Sequence, residues 1–197
     1  MIVLQNHLQQ LNLNNSLKES FVLEWLFCCR KIIIKLRYDD MIRKAQNKDI
    51  NKIKELLHEV LEIHANIRPD IFISGTTKYT NQELENIIKN DETPIFVSTN
   101  ENDEVLGYAF CKIEHSPFTT NMQPHKILYI DDLCVDENTR GLHIGKNLIE
   151  YVLNYAKQID CFEVTLNVWE GNDNAKNFYQ KMGFGVKETT MEIVLDK

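Results

Sequence analysis

The stretch of sequence that decides the fold is VDENTRGLHIG, from Val135 to Gly145. It follows an apolar strand pattern at 126–135 (KILYIDDLCV) and precedes a helical pattern that runs to about Ile159. The start of a helix leaves about four backbone N–H groups without partners and carries a partial positive charge, which together form an anion site. Two glycines leave room beside the backbone, and Arg140 and Lys146 add positive charge. The stretch therefore suits a pyrophosphate.

This helix start differs from two common phosphate-binding motifs. It has no third glycine, so it is not the GxGxxG motif of dinucleotide-binding proteins, and it lacks the GK[ST] of the P-loop. Glycine pairs at helix starts also serve packing. A purely structural role for Gly141 and Gly145 therefore stays open on these residues alone.

On both sides of this stretch, strand and helix patterns alternate along the chain. Apolar residues at helical spacing predict helices, and apolar runs bounded by turn residues predict strands. The predicted strands lie at 41–45, 95–99, 105–115, 126–135 and 162–168, with closing strands within 184–195, and the predicted helices at 48–64, 80–90, 142–159 and 172–182. This order predicts an α/β domain with a mixed, α+β-like sheet.

A second stretch, NVWEGNDNAKNFYQKMGF at 167–184, adds a more specific motif. Its residues Asn172, Ala175 and Tyr179 lie on one flank of the predicted helix. A glycine and a phenylalanine follow at 183–184, where the helix ends and a strand pattern begins.

Together the two stretches resemble the GNAT superfamily of acetyl-CoA-dependent N-acetyltransferases. The resemblance rests on the R-G-x-x-I-G opening at 140–145, followed about 30 residues later by N-x-x-A-x-x-x-Y-x-x-x-G-F. It covers roughly residues 41–195 and implies a three-layer GNAT-type fold, with helices on both faces of a central twisted mixed sheet. One position departs from the family pattern Q/R-x-x-G-x-G/A. His143 stands in place of the first glycine, where its side chain is expected to narrow or shield the phosphate loop.

The resemblance implies that acetyl-CoA is the co-substrate, and it assigns the contacts. Main-chain groups of Leu133 and Val135 would pair with the pantetheine arm, as an added strand pairs with a sheet edge, and Asn172 would hydrogen-bond the same arm. The N–H of Leu133 or Cys134 would receive the oxyanion of the tetrahedral intermediate. Backbone amides would hold the pyrophosphate along Arg140, Gly141, Leu142, His143, Ile144, Gly145 and Lys146.

Catalytic roles are implied for Tyr179, as general acid for the departing thiolate, and for Asp131, as base for the amine. Asp131 and Asp132 are adjacent in an apolar strand, and the two-residue period of a strand predicts them on opposite faces, with Asp131 on the face of Leu133 and Val135. YIDDLCV is also similar to the equivalent strand of spermidine/spermine acetyltransferases, which use the first acid as base. A core tyrosine and an ion-paired aspartate remain the structural alternatives.

The acceptor is expected to be a primary amine, such as a polyamine or another small cationic amine, acetylated by direct transfer in a ternary complex. Asp132 and Glu170 are candidates for an acidic pocket, and Arg68, in the loop HANIRPDIF (64–72), for orienting the acceptor. An acyl-Cys134 intermediate is disfavoured because no histidine lies in its strand. Alternatives are an acetyltransferase for an aminoglycoside, an amino acid or a protein N-terminus, and a non-catalytic acyl-CoA-binding regulator.

Composition limits the class of protein. The 197 residues, 43% hydrophobic and 26% charged, suffice for a core without disulfides or a structural metal. The five cysteines form no CxxC pair and are odd in number, which favours a reducing, cytoplasmic location. A net charge of −7 argues against nucleic acid and favours a cationic partner. No metal-ligand spacing such as HExxH is present, so no metal is predicted, and a homodimer stays open.

Residues 1–40 differ in character from the rest of the chain. Segment 1–20 is rich in Asn, Gln and Leu, and 21–36 is strongly apolar, but four charged side chains interrupt the roughly 20 apolar residues that a membrane span needs. A signal peptide is not predicted, because no small-residue cleavage site follows. We interpret this extension as an added helix or as translation from upstream of the true start, with Met41 opening a GNAT domain at 41–197. A membrane-tethered enzyme anchored by 21–36 is the alternative.

Overall fold

The computed structural model describes residues 41–118 and 120–195. The chain divides into two units, residues 1–41 and 42–197. The interpretations of residues 1–40, as an added helix, an upstream translation or a membrane tether, fall outside the described residues and stay predictions. Within the described part, no helix has the length and apolar character that crossing a membrane requires.

The helices and strands follow the predicted order, with ends that differ by a few residues. The strands are β1 (Ile42–Lys44), β2 (Ile95–Thr99), β3 (Val105–His115), β4 (Lys126–Val135) and β5 (Glu163–Leu166), and the helices are α1 (Ile50–Ile67), α2 (Asn81–Ile88), α3 (Ile144–Gln158) and α4 (Asp173–Lys181). Helix α2 begins where the sequence predicts, because Thr80 and Glu83 form a reciprocal capping box.

The strands form one sheet in the order β1-β2-β3-β4-β5. Neighbouring strands are antiparallel, except β4 and β5, which are parallel and are connected through α3. Helices α1 and α2 cover one face around buried Leu56, Leu84 and Tyr108. Helix α3 covers the other face through Leu148 and Val152, and α4 packs beside it. The predicted three-layer mixed α/β fold is confirmed.

A β-bulge in β4 corrects the predicted orientation of the paired aspartates. Phe110 of β3 pairs with Asp132, but the next residue pairs with Ile130, so Asp131 is an extra residue in β4. A bulge of this kind breaks the two-residue alternation of side chains. Asp131 and Asp132 consequently both face the α1–α2 side of the sheet, where both interact with Lys78. The prediction of opposite faces is wrong for this reason.

The closing strands predicted within 184–195 are also absent from the structure. This segment forms no strand, and apolar side chains such as Val186, Met191 and Ile193 are exposed. Its contacts with the domain include side-chain ion pairs, from Lys187 to Glu163 and from Glu192 to Arg68. A strand needs a partner aligned to exchange backbone hydrogen bonds, and alternating apolar residues alone do not supply one.

Candidate active site

The link between β4 and α3 is a short irregular segment, residues 136–146, which we call the cofactor loop. After β4, a single 3₁₀ turn spans Glu137–Thr139, and α3 begins at Ile144. The first helical hydrogen bond runs from the Asn147 N–H to the His143 carbonyl, at 3.0 Å. Among the described residues, the N–H groups at 144–146 have no backbone acceptor. The predicted anion site at a helix start is therefore available.

Asp136 fixes the cofactor loop at its first residue. Its carboxylate accepts a hydrogen bond from the Asn138 N–H at 3.0 Å and forms an ion pair with Lys52 of α1 at 2.7 Å. These contacts hold the pKa of Asp136 below its usual value, with the Lys52 hydrogen bond as the largest cause. The loop is thereby attached to α1, a support that the sequence analysis missed.

His143 occupies the position where the family pattern has glycine, and its backbone explains the pattern. Its φ is 63° and its ψ is 11°, in the left-handed region that favours glycine. Gly141 has a φ of 86° in the same loop. The His143 side chain is exposed. The loop thus keeps the shape that glycine normally permits, and the backbone of His143 is strained as a result.

The sheet is open beside the end of β4. Strands β4 and β5 pair only from Ile127–Glu163 to Ile130–Leu166, whereas β4 continues to Val135. On the β5 side, the main chain of residues 131–135 has no strand partner among the described residues. The predicted pantetheine contacts at 133–135 lie on this open edge.

Helix α4 carries Tyr179 near its end, and Asn172 immediately precedes its first residue. Burial raises the pKa of the Tyr179 phenol above its usual value, and the charge of Asp132 adds to the shift. Tyr179 therefore keeps its proton at neutral pH, as a general acid must. Asn172 caps α4, because its side-chain oxygen accepts a hydrogen bond from the Ala175 N–H at 3.2 Å. Its side-chain NH₂ is not used by this cap, and its predicted pantetheine contact stays a prediction.

Asp132 is the aspartate whose protonation the fold changes most. Burial raises its pKa to about 6, and the charge of Asp131 acts in the same direction, while Lys78 and the Tyr108 hydrogen bond oppose the shift. The Tyr108 hydroxyl donates to the Asp132 carboxylate at 3.3 Å. A carboxylate with this pKa is ionised at pH 7 and is still basic enough to accept a proton from an amine.

Asp131, the residue predicted as base, lies in a different environment. Its side chain is exposed, and its Oδ2 atom is 2.8 Å from the Nζ atom of Lys78. This ion pair already occupies the Asp131 carboxylate, whereas the Asp132 carboxyl group lines the larger of two neighbouring pockets. The geometry therefore favours Asp132 over Asp131 for this role. The bulge that brings the two acids to one face left no recognisable signal in the sequence.

A pocket of about 300 Å³ lies between α1, the loop before α2 and β4. We call it the acceptor pocket. Its lining is mostly apolar and includes one carboxyl group, that of Asp132, and one ammonium, that of Lys78. The lining residues are Leu57, Val60, Leu61, His64, Ile71, Phe72, Ile73, Thr76, Thr77, Lys78 and Asp132. Burial lowers the pKa of the His64 imidazole, with a smaller contribution from Lys78, so His64 is neutral at pH 7.

Arg68 and Glu170, the other predicted acceptor-binding residues, do not line this pocket. Arg68 forms ion pairs with Asp70 at 2.7 Å and Glu192 at 2.6 Å, and its guanidinium lies 5.6 Å from the Trp169 ring. It therefore attaches the loop after α1 to two other segments. Glu170 is exposed and pairs with a lysine of α4 at 3.4 Å. The side chains that lie near Asp132 are instead those of Lys78, Tyr108 and His64. None of the three belongs to a recognisable sequence motif.

The cysteines of the site are protonated. Cys134 is buried, and burial raises its pKa to about 12. Burial raises the pKa of Cys111 as well. A thiol must be ionised to act as an efficient nucleophile. Cys134 and Cys111 are therefore thiols, not thiolates, at neutral pH.

Comparison with known proteins agrees with this geometry. Residues 57–184 match the model of the acetyltransferase (GNAT) family. The chain belongs to this family. A solved structure, that of a mutant of the BH1408 protein from Bacillus halodurans, is 31% identical with a TM-score of 0.74, over 78% of this chain and 98% of that chain.

Two curated relatives are enzymes with named amine targets. The peptidyl-lysine N-acetyltransferase YjaB of Escherichia coli is 32% identical over 106 residues, which are 53% of this chain and 59% of the relative. The N-alpha-acetyltransferase 50 of Danio rerio is 36% identical over 89 residues, 45% of this chain and 49% of the relative. The matches span about half to three fifths of the length of these two relatives.

Proposed function

We propose that the protein transfers the acetyl group of acetyl-CoA to a primary amine on an apolar group, by direct attack in a ternary complex. The observation that carries the proposal is the Asp132 carboxyl group, which has a pKa of about 6 and lines an apolar pocket beside the open end of the sheet. A base of this strength is matched to proton removal near neutral pH. Membership of the GNAT family supports the acyl-transfer chemistry.

The cofactor loop and the open edge of β4 fit acetyl-CoA. The N–H groups at 144–146 supply donors for a pyrophosphate, and Arg140 and Lys146 are exposed beside them. The unpaired main chain at 133–135 supplies both donors and acceptors for the amides of the pantetheine arm. Binding across both features would place the thioester near the middle of β4, between Asp132 and Tyr179.

In the proposed reaction, Asp132 removes a proton from the bound ammonium, directly or through a water molecule. The amine nitrogen then attacks the thioester carbonyl carbon, so that a C–N bond forms as the carbonyl oxygen becomes an oxyanion. The main-chain N–H of Leu133 or Cys134 would stabilise this oxyanion. When the intermediate collapses, the C–S bond breaks and Tyr179 protonates the departing thiolate, while the second proton lost by the attacking nitrogen restores the Tyr179 phenol. No acyl-enzyme step is needed, since the Cys134 thiol is protonated at neutral pH.

The lining of the acceptor pocket supports an amine with an apolar body. Leu57, Val60, Phe72 and Ile73 would contact that body, while Asp132 receives the amine. A peptide whose first side chain is apolar, or a simple alkylamine, has this chemistry. The curated relatives are named for acetylation of peptidyl lysine and of N-terminal α-amines. The polyamine predicted from the sequence would place further charges against apolar side chains, which is unfavourable.

The proposal is tested by the release of CoA thiol from acetyl-CoA in the presence of a panel of amines. The panel contains alkylamines, peptides that begin with leucine, peptides that begin with aspartate, lysine-containing peptides, spermidine and an aminoglycoside. We expect kcat/KM for leucine-initiated peptides and alkylamines to exceed that for the aspartate-initiated peptides by at least about tenfold. A preference for spermidine would instead support the sequence-based prediction of a polyamine.

The same measurement separates an enzyme from a regulator. Isothermal titration calorimetry should detect acetyl-CoA binding, and replacement of Gly145 by Asp should weaken it, since a carboxylate there would repel the pyrophosphate. Tight binding of acetyl-CoA without thiol release on any amine would contradict the proposal and favour a non-catalytic acyl-CoA-binding regulator. The cytoplasmic location, the metal-free reaction and the homodimer inferred from the sequence remain predictions.

A further inference from the structure

A second, smaller pocket lies on the other side of the β4 bulge. Its volume is about 130 Å³, and we call it the side pocket. It contains the Asp131 carboxylate, whereas the acceptor pocket contains that of Asp132. The remaining lining residues of the side pocket are Tyr79, Ile87, Thr93, Phe110, Cys111 and Lys112. Each of the two adjacent aspartates therefore lines a different pocket.

The ion pair between Lys78 and Asp131 separates these pockets. Lys78 lines the acceptor pocket, Asp131 lines the side pocket, and their charged atoms are 2.8 Å apart. The Lys78 ammonium lies 5.4 Å from the centre of the Tyr79 ring, and that ring is stacked on Phe110 at 5.9 Å. The stacked rings and the cation–π contact hold the lysine in this position.

We propose that the Lys78–Asp131 ion pair restricts the acceptor to amines with one positive charge. This inference rests on the proposed function and names the substrate class of the same pocket. With the pair intact, Lys78 neutralises Asp131, so Asp132 is the carboxylate left for an ammonium. The second ammonium of a diamine would enter the pocket that the Lys78 ammonium lines, where the two like charges repel.

The other charged groups near the two pockets do not offer a second site for a cation. The His64 imidazole is neutral at pH 7, and Tyr108 donates its hydroxyl hydrogen to Asp132. Lys112 of β3 lines the side pocket but is paired with Glu114 at 2.9 Å, which leaves that pair neutral. Among the described residues that line the two pockets, a second carboxylate becomes available to a cation when Lys78 separates from Asp131.

Replacement of Lys78 by methionine keeps the length of the side chain and removes its charge. The matched probes are hexylamine and hexamethylenediamine, which share a six-carbon chain and differ in the second amine. For the Lys78→Met variant we expect KM for the diamine to fall by about fivefold, the usual effect of one partly exposed charge pair. The readout is the ratio of the two KM values at pH 8, because loss of the Lys78 charge also raises the pKa of Asp132 and is expected to change kcat for both amines to the same extent.

Three further variants show whether the effect comes from this ion pair. Lys78→Arg keeps the charge and should retain the preference for the monoamine. Asp131→Asn in the Lys78→Met background should abolish the gain, since the second carboxylate is then lost. Lys44→Met removes an exposed lysine that pairs with Asp91 at 2.7 Å on the far edge of the sheet, and it should leave both KM values unchanged.

The outcomes distinguish this inference from the proposed function. Turnover of hexylamine by the wild-type protein, with the ratio of the two KM values unchanged in Lys78→Met, would overturn the restriction by Lys78 and leave the acetyltransferase intact. An equal fall in both KM values would also overturn it, because a general widening of the pocket would explain that result. Absence of thiol release with every amine would overturn the proposed function and this inference with it.

Discussion

The cofactor loop and the acceptor pocket meet at β4 but are built in opposite ways. The cofactor loop is one stretch, residues 136–146, and its shape depends on left-handed residues and a helix start. The acceptor pocket draws on α1, the loop before α2 and β4, which are far apart in sequence. The loop presents the positive side chains of Arg140 and Lys146. The pocket region presents the carboxylates of Asp131 and Asp132.

This difference indicates that the two halves of the reaction respond differently to substitution. Backbone N–H groups bind an anion whatever side chains surround them, so the cofactor half tolerates changes at its surface. The acceptor pocket depends on a bulge and on one ion pair, so we expect a single substitution there to change which amine is accepted. Asp132 lies on β4, where the cofactor loop and the acceptor pocket meet. Substitution of Asp132 is therefore the first test of whether the two regions differ in this way.

The largest expected effect is that of Asp132→Asn, which keeps the shape of the side chain and removes the base. We expect kcat to fall by about 10³-fold, within the range usual for loss of a general base. Asp131→Asn is the matched control on the adjacent residue and should lower kcat by less than about tenfold. Steady-state thiol release at saturating acetyl-CoA measures both. A larger loss in Asp131→Asn than in Asp132→Asn would return the role of base to Asp131.

The pKa of Asp132 also predicts a pH dependence of activity and of stability. Because the carboxylate is the active form, kcat should rise with pH and level off above about pH 6. In the unfolded chain the pKa of an aspartate is about 3.9, so the folded protein binds more protons between about pH 4 and pH 6 and loses stability as the pH rises through that range. Asp132→Asn should therefore raise the free energy of unfolding at pH 7.5 by about 1 kcal/mol, measured by urea denaturation. A less stable variant would contradict the burial of this charge.

The next largest effect on kcat is expected for Tyr179, which lies on α4. Tyr179→Phe removes the proposed acid and keeps the ring, which packs against Phe178 and Phe184. We expect kcat to fall by about 10²-fold or less, because a thiolate is already a fair leaving group. The affinity for acetyl-CoA in calorimetry should change by less than about threefold. Unchanged turnover would remove Tyr179 from the mechanism and leave it a core aromatic.

The third prediction concerns protein stability and tests the close contact between β3 and β4 next to the cofactor loop. A Cβ atom at Gly107 of β3 would lie 2.7 Å from the backbone oxygen of Cys134 and 3.3 Å from the Ile144 side chain. Because the nearest atom belongs to a paired strand, we expect Gly107→Ala to lower the free energy of unfolding by about 2 kcal/mol. Gly145→Ala adds the same methyl group with no neighbour closer than 3.4 Å, and it should cause no comparable loss. Equal stability of the two variants would show that β3 and β4 can separate at Gly107.

The local features of this protein follow from the sequence, and the cofactor loop is the clearest case. A strand, a turn with glycines and an amphipathic helix are all set by residues within about ten positions of one another, so the pattern from 126 to 159 predicts them. The Thr80 cap and its Glu83 partner are equally local. The family motif adds Tyr179 to the predicted site, and in the structure this residue is partly buried and close enough to Asp132 for that charge to raise its pKa.

The features that the sequence does not predict depend on contacts between distant segments. The bulge at Asp131 arises where β3 and β4 pair, and a period of two residues within one strand cannot reveal it. Lys78 meets Asp131 across a sequence separation of 53 residues and has no motif of its own. The alternating residues at 184–195 satisfy the pattern of a strand, yet this segment has no aligned strand partner in the part of the chain that the structure describes.

The smallest effect tests the cofactor loop itself at His143. A residue other than glycine in the left-handed region is strained by about 1 kcal/mol, and glycine relieves this strain while adding entropy to the unfolded chain. We therefore expect His143→Gly to raise the free energy of unfolding by about 0.5 kcal/mol and to change acetyl-CoA affinity by less than about threefold, because the N–H groups at 144–146 remain. His143→Ala removes the imidazole without relieving the backbone, and it should not stabilise the protein. A gain in affinity of tenfold or more in both variants would show instead that the imidazole shields the loop, as the sequence suggested, and that side chains as well as backbone control this half of the site.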